Sequence, residues 1–309
     1  MNTSSIIVGA WAPVLLPINQ EDRIDFIALA DQLDLLLASG IHGVYSNGTA
    51  SEFHNQTEAE FDRIHELMVE RCQRKGMPFQ IGICHPSPVV SLERLTRCLS
   101  FSPAAFQVIL PDWVPTHPEE ELCFLQQIGE LAKNSSLILY NPPHAKRNLT
   151  HREIAGFKLK VPNLAGVKLA DGGASWYASM RAHLGDLSVF IPGHHMATGV
   201  LSGAQGSYSN VAGLSPAATA RWYKLIHSNP TAALRIEREI LAFFDEHISP
   251  LVRAGYSNPA LDKLLCVMGG WSNMTVRLRR PYRSIPDSVV EHLKSLTRSS
   301  LPHFFELLS

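Results

Sequence analysis

Apolar residues along the chain fall into two alternating patterns. Short apolar or β-branched runs at residues 5–16, 42–48, 79–84, 105–111, 136–141, 164–170, 188–193 and 206–211 read as strands. Between them, apolar residues three and four apart predict helices over 21–39, 57–75, 88–101, 118–133, 150–160, 174–184, 195–203 and 215–228. Several boundaries are explicit. "TEAE" at 57–60 is a capping box, with Thr57 as N-cap and Glu60 reaching back to it. Glycine follows the first two helices in "ASGIHG" and "RKGMP", and Pro118 suits a first helical turn.

Strict alternation of strand and helix predicts a parallel sheet covered by helices. Eight such units in about 225 residues fit a closed (β/α)8 TIM barrel of the α/β class, over residues 1–228. An open doubly wound sheet is the competitor, but its first turn would carry a GxGxxG fingerprint that is missing here. Residues 229–309 hold no strand candidate. They read as three further helices, 231–248, 258–269 and 286–306, forming an extension packed on the barrel.

Composition narrows the function. Hydrophobic residues make up 45% of the 309 positions, charged residues 18%, and the net charge is −1. No basic surplus points to nucleic acid, and no apolar run is long enough for a signal peptide or a membrane span. The five cysteines, Cys72, Cys84, Cys98, Cys123 and Cys266, are scattered and form no CxxC. They read as free thiols of a cytoplasmic protein.

In a barrel of this type the chemistry sits at the C-terminal ends of the strands. Those ends carry Asn47 and Thr49, Asp112 and Trp113, Tyr140 and Asn141, Lys168 and Asp171, His194 and His195, and Tyr208 to Asn210. Lys168, in "GVKLADGG", is the lysine that interrupts an apolar strand. Desolvation there lowers an amine's pKa, and a neutral amine can form a Schiff base with a carbonyl. The alternative is an edge lysine that snorkels to water. Tyr140, one strand away, is either a proton relay or a core tyrosine with a bonded hydroxyl. The turn "GTASE" offers N–H groups and the Thr49 hydroxyl to a carboxylate, or is simply a turn. No metal is expected. Adjacent residues such as His194 and His195 point opposite ways in an extended segment, and no third ligand is spaced to join them. "DKLL" and "RLRRPYR" near the end read as solvated faces.

Together, "GTASEF", "LILYNPP", "LAGVKLADG" and "GAQGSYSNVAGLSP" resemble the motifs of the dihydrodipicolinate synthase / N-acetylneuraminate lyase family, in the right order and over nearly the whole chain. The resemblance implies a (β/α)8 barrel with a C-terminal helical extension, and a lyase that forms a Schiff base with pyruvate or another 2-oxo acid and needs no cofactor. It implies Lys168 as the Schiff-base lysine, Tyr140 as the phenol and Thr49 as the hydroxyl of a proton relay. The N–H groups of Thr49 and Ala50 would bind the carboxylate, and Tyr208 would face the keto acid with its backbone carbonyl. A homo-oligomer, dimer or tetramer, is implied as well.

The departures from the family motifs matter equally. Ala50 and Ser51 replace the second threonine and the glycine of the turn, so one hydroxyl is lost and Ser51 is its substitute. Trp113 stands where a relay tyrosine crosses to a neighbouring subunit, and it cannot relay a proton. Asp112 beside it is a substitute acid or base. Ala145 lies near the synthases' carboxylate-binding arginine, with Lys146 and Arg147 following. These differences argue against dihydrodipicolinate synthesis, and "PGHH" argues against a sialic acid lyase. The expectation is aldol cleavage, condensation or dehydration of a 2-oxo acid. The rival is a catalytically impaired member that binds a keto acid without turnover.

Overall fold

Strand β1, Gly9–Pro13, is buried along its whole length in the computed structural model, which describes residues 6–308. Ser5, the first residue of the expected opening strand, lies outside the described residues, as do Met1–Thr3, Ser4 and Ser309. β1 pairs in parallel with β2 (Gly43–Tyr45) on one side and β8 (Gly206–Tyr208) on the other. The remaining strands, β3 (Phe79–Gly82), β4 (Ala105–Val108), β5 (Leu137–Tyr140), β6 (Leu164–Lys168) and β7 (Ser188–Pro192), complete a closed, all-parallel barrel in sequence order. The expected (β/α)8 architecture is present.

The outer ring consists of α1 (Phe26–Ala38), α2 (Glu58–Lys75), α3 (Pro88–Cys98), α4 (Pro118–Ala132), α5 (His151–Lys160), α6 (Ala174–His183), α7 (Met196–Leu201) and α8 (Pro216–Ser228). Their starts follow from local chemistry. Asp25 caps α1 by accepting from the N–H groups of Ile27 and Ala28. Thr57–Glu60 and Thr150–Glu153 form reciprocal capping boxes on α2 and α5. A continuous apolar sleeve between strands and helices includes Val44, Ile81, Val108, Leu139, Val167 and Ile191. A second cluster, with Trp11, Tyr45, Phe190 and Tyr208, fills the barrel interior.

The C-terminal segment is helical throughout its regular part. α9 (Pro230–Phe243) runs through a π-turn at Phe244–Ile248 into α10 (Ser249–Arg253), followed by α11 (Asn258–Gly269), α12 (Asp287–Ser300) and α13 (Pro302–Glu306). The reading of "DKLL" as a solvated face is overturned: Lys263 is fully buried, its Nζ 2.5 Å from Glu52 Oε1 and donating to Arg277 O at 2.7 Å. "RLRRPYR" is engaged in its first half, with Arg277 on Asp22 and Arg279 on Glu60, while Arg280 to Arg283 are exposed as expected. α11 is apolar on most of its surface, so it enters the protein and takes its charges with it.

Candidate active site at the barrel mouth

Lys168 ends β6, in register with Tyr140 of β5 and Phe190 of β7. Its ammonium lies 4.1 Å from the ring centroid of Tyr140 and 4.9 Å from those of Tyr45 and Tyr208. Burial lowers its pKa to about 8, opposed chiefly by the carboxylate of Asp262. At neutral pH about a tenth of such an amine is free base, against less than a thousandth for an ordinary lysine. The aromatic cage favours the cation when it is present, so the site holds an amine that exchanges readily between the two forms.

Tyr140 and Thr49 meet across the mouth, Thr49 Oγ1 being 3.1 Å from Tyr140 OH. Burial raises the phenol's pKa well above its ordinary value, so it stays protonated and available as a donor. Thr49 opens a short 3₁₀ turn, Thr49–Ser51. The first hydrogen bond of the turn is Ser51 N–H to Gly48 O, at 3.1 Å. Among the described residues the N–H groups of Thr49 and Ala50 donate to no backbone carbonyl, as expected at the start of a helical turn. The turn is flanked by two non-glycine residues in the left-handed region, Asn47 (φ 53°) and Glu52 (φ 52°). Asn47 is fixed by donating to Gly82 O at 2.7 Å, and Glu52 by Lys263. Gly48 allows the close approach: a Cβ there would lie 3.1 Å from Gln107 Nε2 and 3.8 Å from Lys168 Nζ.

The cavity above Lys168 measures about 630 Å³. Thr49, Ala50, Tyr140, Tyr208, His194 and His195 line it from the barrel, and Asp262 of α11 from the extension. Burial raises the Asp262 pKa to about 7, with Lys168 pulling it back down. A smaller cavity of about 280 Å³ shares Thr49 and Tyr140 and adds Asp112, Lys146 and Arg147, but does not reach Lys168.

The remaining expected residues are placed as follows. Ser51 Oγ donates to Val14 O at 2.6 Å, so its hydroxyl is taken up by the backbone of the first strand's exit. Tyr208 sends its ring into the barrel, with its hydroxyl on Gln80 Oε1. Asp112 faces the smaller cavity. Trp113 is 79% exposed and lines neither cavity. Arg147 is held by Glu121 and Glu153, and Lys146 Nζ donates to Trp113 O.

Two features were not anticipated. His194 and His195 do not diverge: they sit in a 3₁₀ turn, Gly193–His195, with ring centroids 4.5 Å apart. His195 Nδ1 is 3.3 Å from Asp171 Oδ2, and His194 Nδ1 is paired with the Asn210 amide. Asp262 was missed because only packing of α11 over the mouth brings it there; an acid within so apolar a helix was the available signal. Among the described residues no group of three or more His, Cys, Asp or Glu is disposed to hold a metal.

A family model for the dihydrodipicolinate synthetase family matches residues 7–299. An uncharacterized DapA-like lyase of Thermococcus onnurineus is 24% identical over 300 residues, 95% of this chain and 99% of the relative. A 4-hydroxy-tetrahydrodipicolinate synthase of Thermomicrobium roseum is 24% identical over 306 residues, 97% of each chain. Among solved structures, a prophage protein of the dihydrodipicolinic acid synthase family from E. coli K12, in complex with pyruvate, superposes with a TM-score of 0.84 at 18% identity, covering 96% of this chain and 99% of that one. The wild-type sialic acid aldolase of Ruminococcus gnavus gives 0.82 at 17% identity, with the same two coverages.

Proposed function

The chain belongs to the dihydrodipicolinate synthetase family, and from that premise we propose that it is a lyase that forms a Schiff base between Lys168 and a 2-oxo acid. One observation carries the reading: an amine with a lowered pKa lies 4.1 Å from the ring of a tyrosine whose hydroxyl is hydrogen-bonded to Thr49. The N–H groups of Thr49 and Ala50 receive the substrate carboxylate. The free amine of Lys168 attacks the C2 carbonyl, and Tyr140 donates a proton to the departing hydroxyl, with Thr49 passing protons to it. The resulting iminium withdraws electrons from C3, which serves aldol cleavage and condensation as well as dehydration.

Arg147 is not assigned to a substrate carboxylate, because Glu121 and Glu153 already hold it. This argues against the carboxylate-bearing aldehyde that the synthases condense with pyruvate. A homo-oligomer belongs to the same reading: Trp113 and Val114 are 79% and 73% exposed beside the smaller cavity, and a second copy would cover them. Among the described residues no helix is long and apolar enough to cross a membrane.

The test is reductive trapping. The protein is incubated with pyruvate and borohydride, its intact mass measured, and the modified peptide mapped. A single adduct on Lys168, lost in Lys168→Ala, is the expected result. A folded protein that forms no adduct with pyruvate or with larger 2-oxo acids would refute the reading.

A further inference from the structure

The cavity above Lys168 is lined from two sides. The barrel supplies the lysine, its tyrosines and Thr49. The extension supplies Leu241, Phe244, Ile248, Val252, Leu261 and Leu265, from α9, the π-turn, α10 and α11, with Ser249 and Asn258 among them. Among the described residues Lys168 is the only lysine or arginine in the lining, whereas Asp245 and Asp262 both line the cavity. A substrate carrying a second carboxylate or a phosphate would meet apolar side chains and like charge there, with no cation to receive it.

His195 lines the same cavity from the barrel side. Its Nδ1 is 3.3 Å from Asp171 Oδ2, a carboxylate that favours a proton on Nδ1 and so leaves the Nε2 lone pair available. His195 lines the cavity and Asp171 does not, so the carboxylate supports the imidazole from behind. His194 has no comparable freedom, being paired with Asn210 and packed against Phe244 at 5.3 Å between centroids.

We propose that this cavity takes a 4-hydroxy-2-oxo acid whose group beyond C4 is apolar and uncharged, and that His195, positioned by Asp171, is the base for its C4 hydroxyl. The proposal rests on the Schiff-base reading above. With the substrate held as an iminium on Lys168, Nε2 of His195 takes the hydroxyl proton. The oxygen lone pair closes the C4 carbonyl and the C3–C4 bond breaks. Its electron pair forms the C2–C3 double bond, and the iminium π pair returns to nitrogen. An apolar aldehyde leaves. The proton passes to C3 of the enamine, and water hydrolyses the iminium to release pyruvate and the free lysine.

The experiment compares pyruvate release from 4-hydroxy-2-oxo-4-phenylbutanoate and from 4-hydroxy-2-oxoglutarate by the full chain. The expected kcat/KM favours the phenyl acid by about a hundredfold or more. His195→Gln is expected to trap pyruvate on Lys168 as the parent does, yet to lose turnover by about 10²–10⁴-fold. Asp171→Asn should lower kcat about tenfold or more with KM little changed, and Asp171→Glu should restore part of it. His195→Asn serves if His195→Gln fails to fold. Equal or reversed preference, or no cleavage of the phenyl acid by a protein that traps pyruvate, overturns the substrate assignment. Undiminished turnover in the folded His195 variants overturns the base. A parent protein that traps no keto acid refutes the Schiff-base reading instead, and trapping separates that failure from the others.

Discussion

Glu52 and Lys263 form an ion pair at 2.5 Å with side chains only 3% and 0% exposed, and they tie the turn that carries Thr49 to a helix of the C-terminal extension. Burial works against both charges, raising the pKa of the acid and lowering that of the amine, and the pair persists because each offsets the other's desolvation. The barrel's active turn is thus held from outside the barrel.

This pair gives the first prediction. Lys263→Met strands a buried carboxylate and should destabilise the fold by roughly 3–5 kcal/mol in urea unfolding. Adding Glu52→Gln to it should recover much of that loss. A double variant no better than the single one would mean that the pair is not coupled.

The rate of adduct formation should report the Lys168 pKa. Only the free base attacks, so with excess pyruvate and cyanoborohydride the rate should climb as pH rises to about 8 and then level off. Asp262→Asn removes a charge that raises this pKa, so its plateau should begin at lower pH. A rate that keeps climbing beyond pH 9.5 in the parent would show an ordinary lysine.

The same shift has a consequence for stability. The folded state disfavours the Lys168 ammonium, so it carries a penalty that is fully present below pH 8 and fades as pH rises toward 10.5, where the unfolded chain also loses its proton. Lys168→Met should therefore be more stable than the parent at pH 7, on the order of 1 kcal/mol, with the gain shrinking toward pH 10. Thermal unfolding across that range checks both sign and trend.

Tyr140→Phe keeps the ring over Lys168 and removes the proton donor. Turnover should fall by about 10²–10⁴-fold with the melting temperature nearly unchanged, and Thr49→Val should fall in the same direction. Normal turnover in Tyr140→Phe would show that the phenol relays nothing.

Arg147→Ala separates a structural arginine from a substrate-binding one. Glu121 is almost fully buried and would lose its partner, so stability should drop by roughly 2–4 kcal/mol while KM stays within about twofold. A large rise in KM with stability intact would restore the arginine to the substrate.

The barrel was legible in the sequence because alternation of strand and helix is a local signal. Lys168 was legible because a charge in an apolar strand conflicts with its surroundings. The C-terminal contribution was not. Asp262 and Lys263 are adjacent polar residues on a helix, and only the packing of α11 against the Thr49 turn decides that one faces the cavity and the other a buried acid. The histidines were misjudged for a related reason: adjacent residues at a strand end were expected to stay extended and point apart, whereas a tight turn brings both rings together. Ser51 looked like a spare hydroxyl because nothing near it in sequence shows that Val14 O lies within its reach.

The roof over Lys168 is built from residues 241–265, which follow the last barrel strand by more than thirty positions, whereas Thr49, Tyr140 and Lys168 precede that strand's end. The reacting groups and the apolar roof are consequently written in separate passages of the chain, joined through Asp262 and Lys263. Substitutions at the roof's apolar positions, away from those two, can retune which molecules are admitted while the reacting groups stay as they are, so a lineage carrying this arrangement can change its diet without relearning its chemistry.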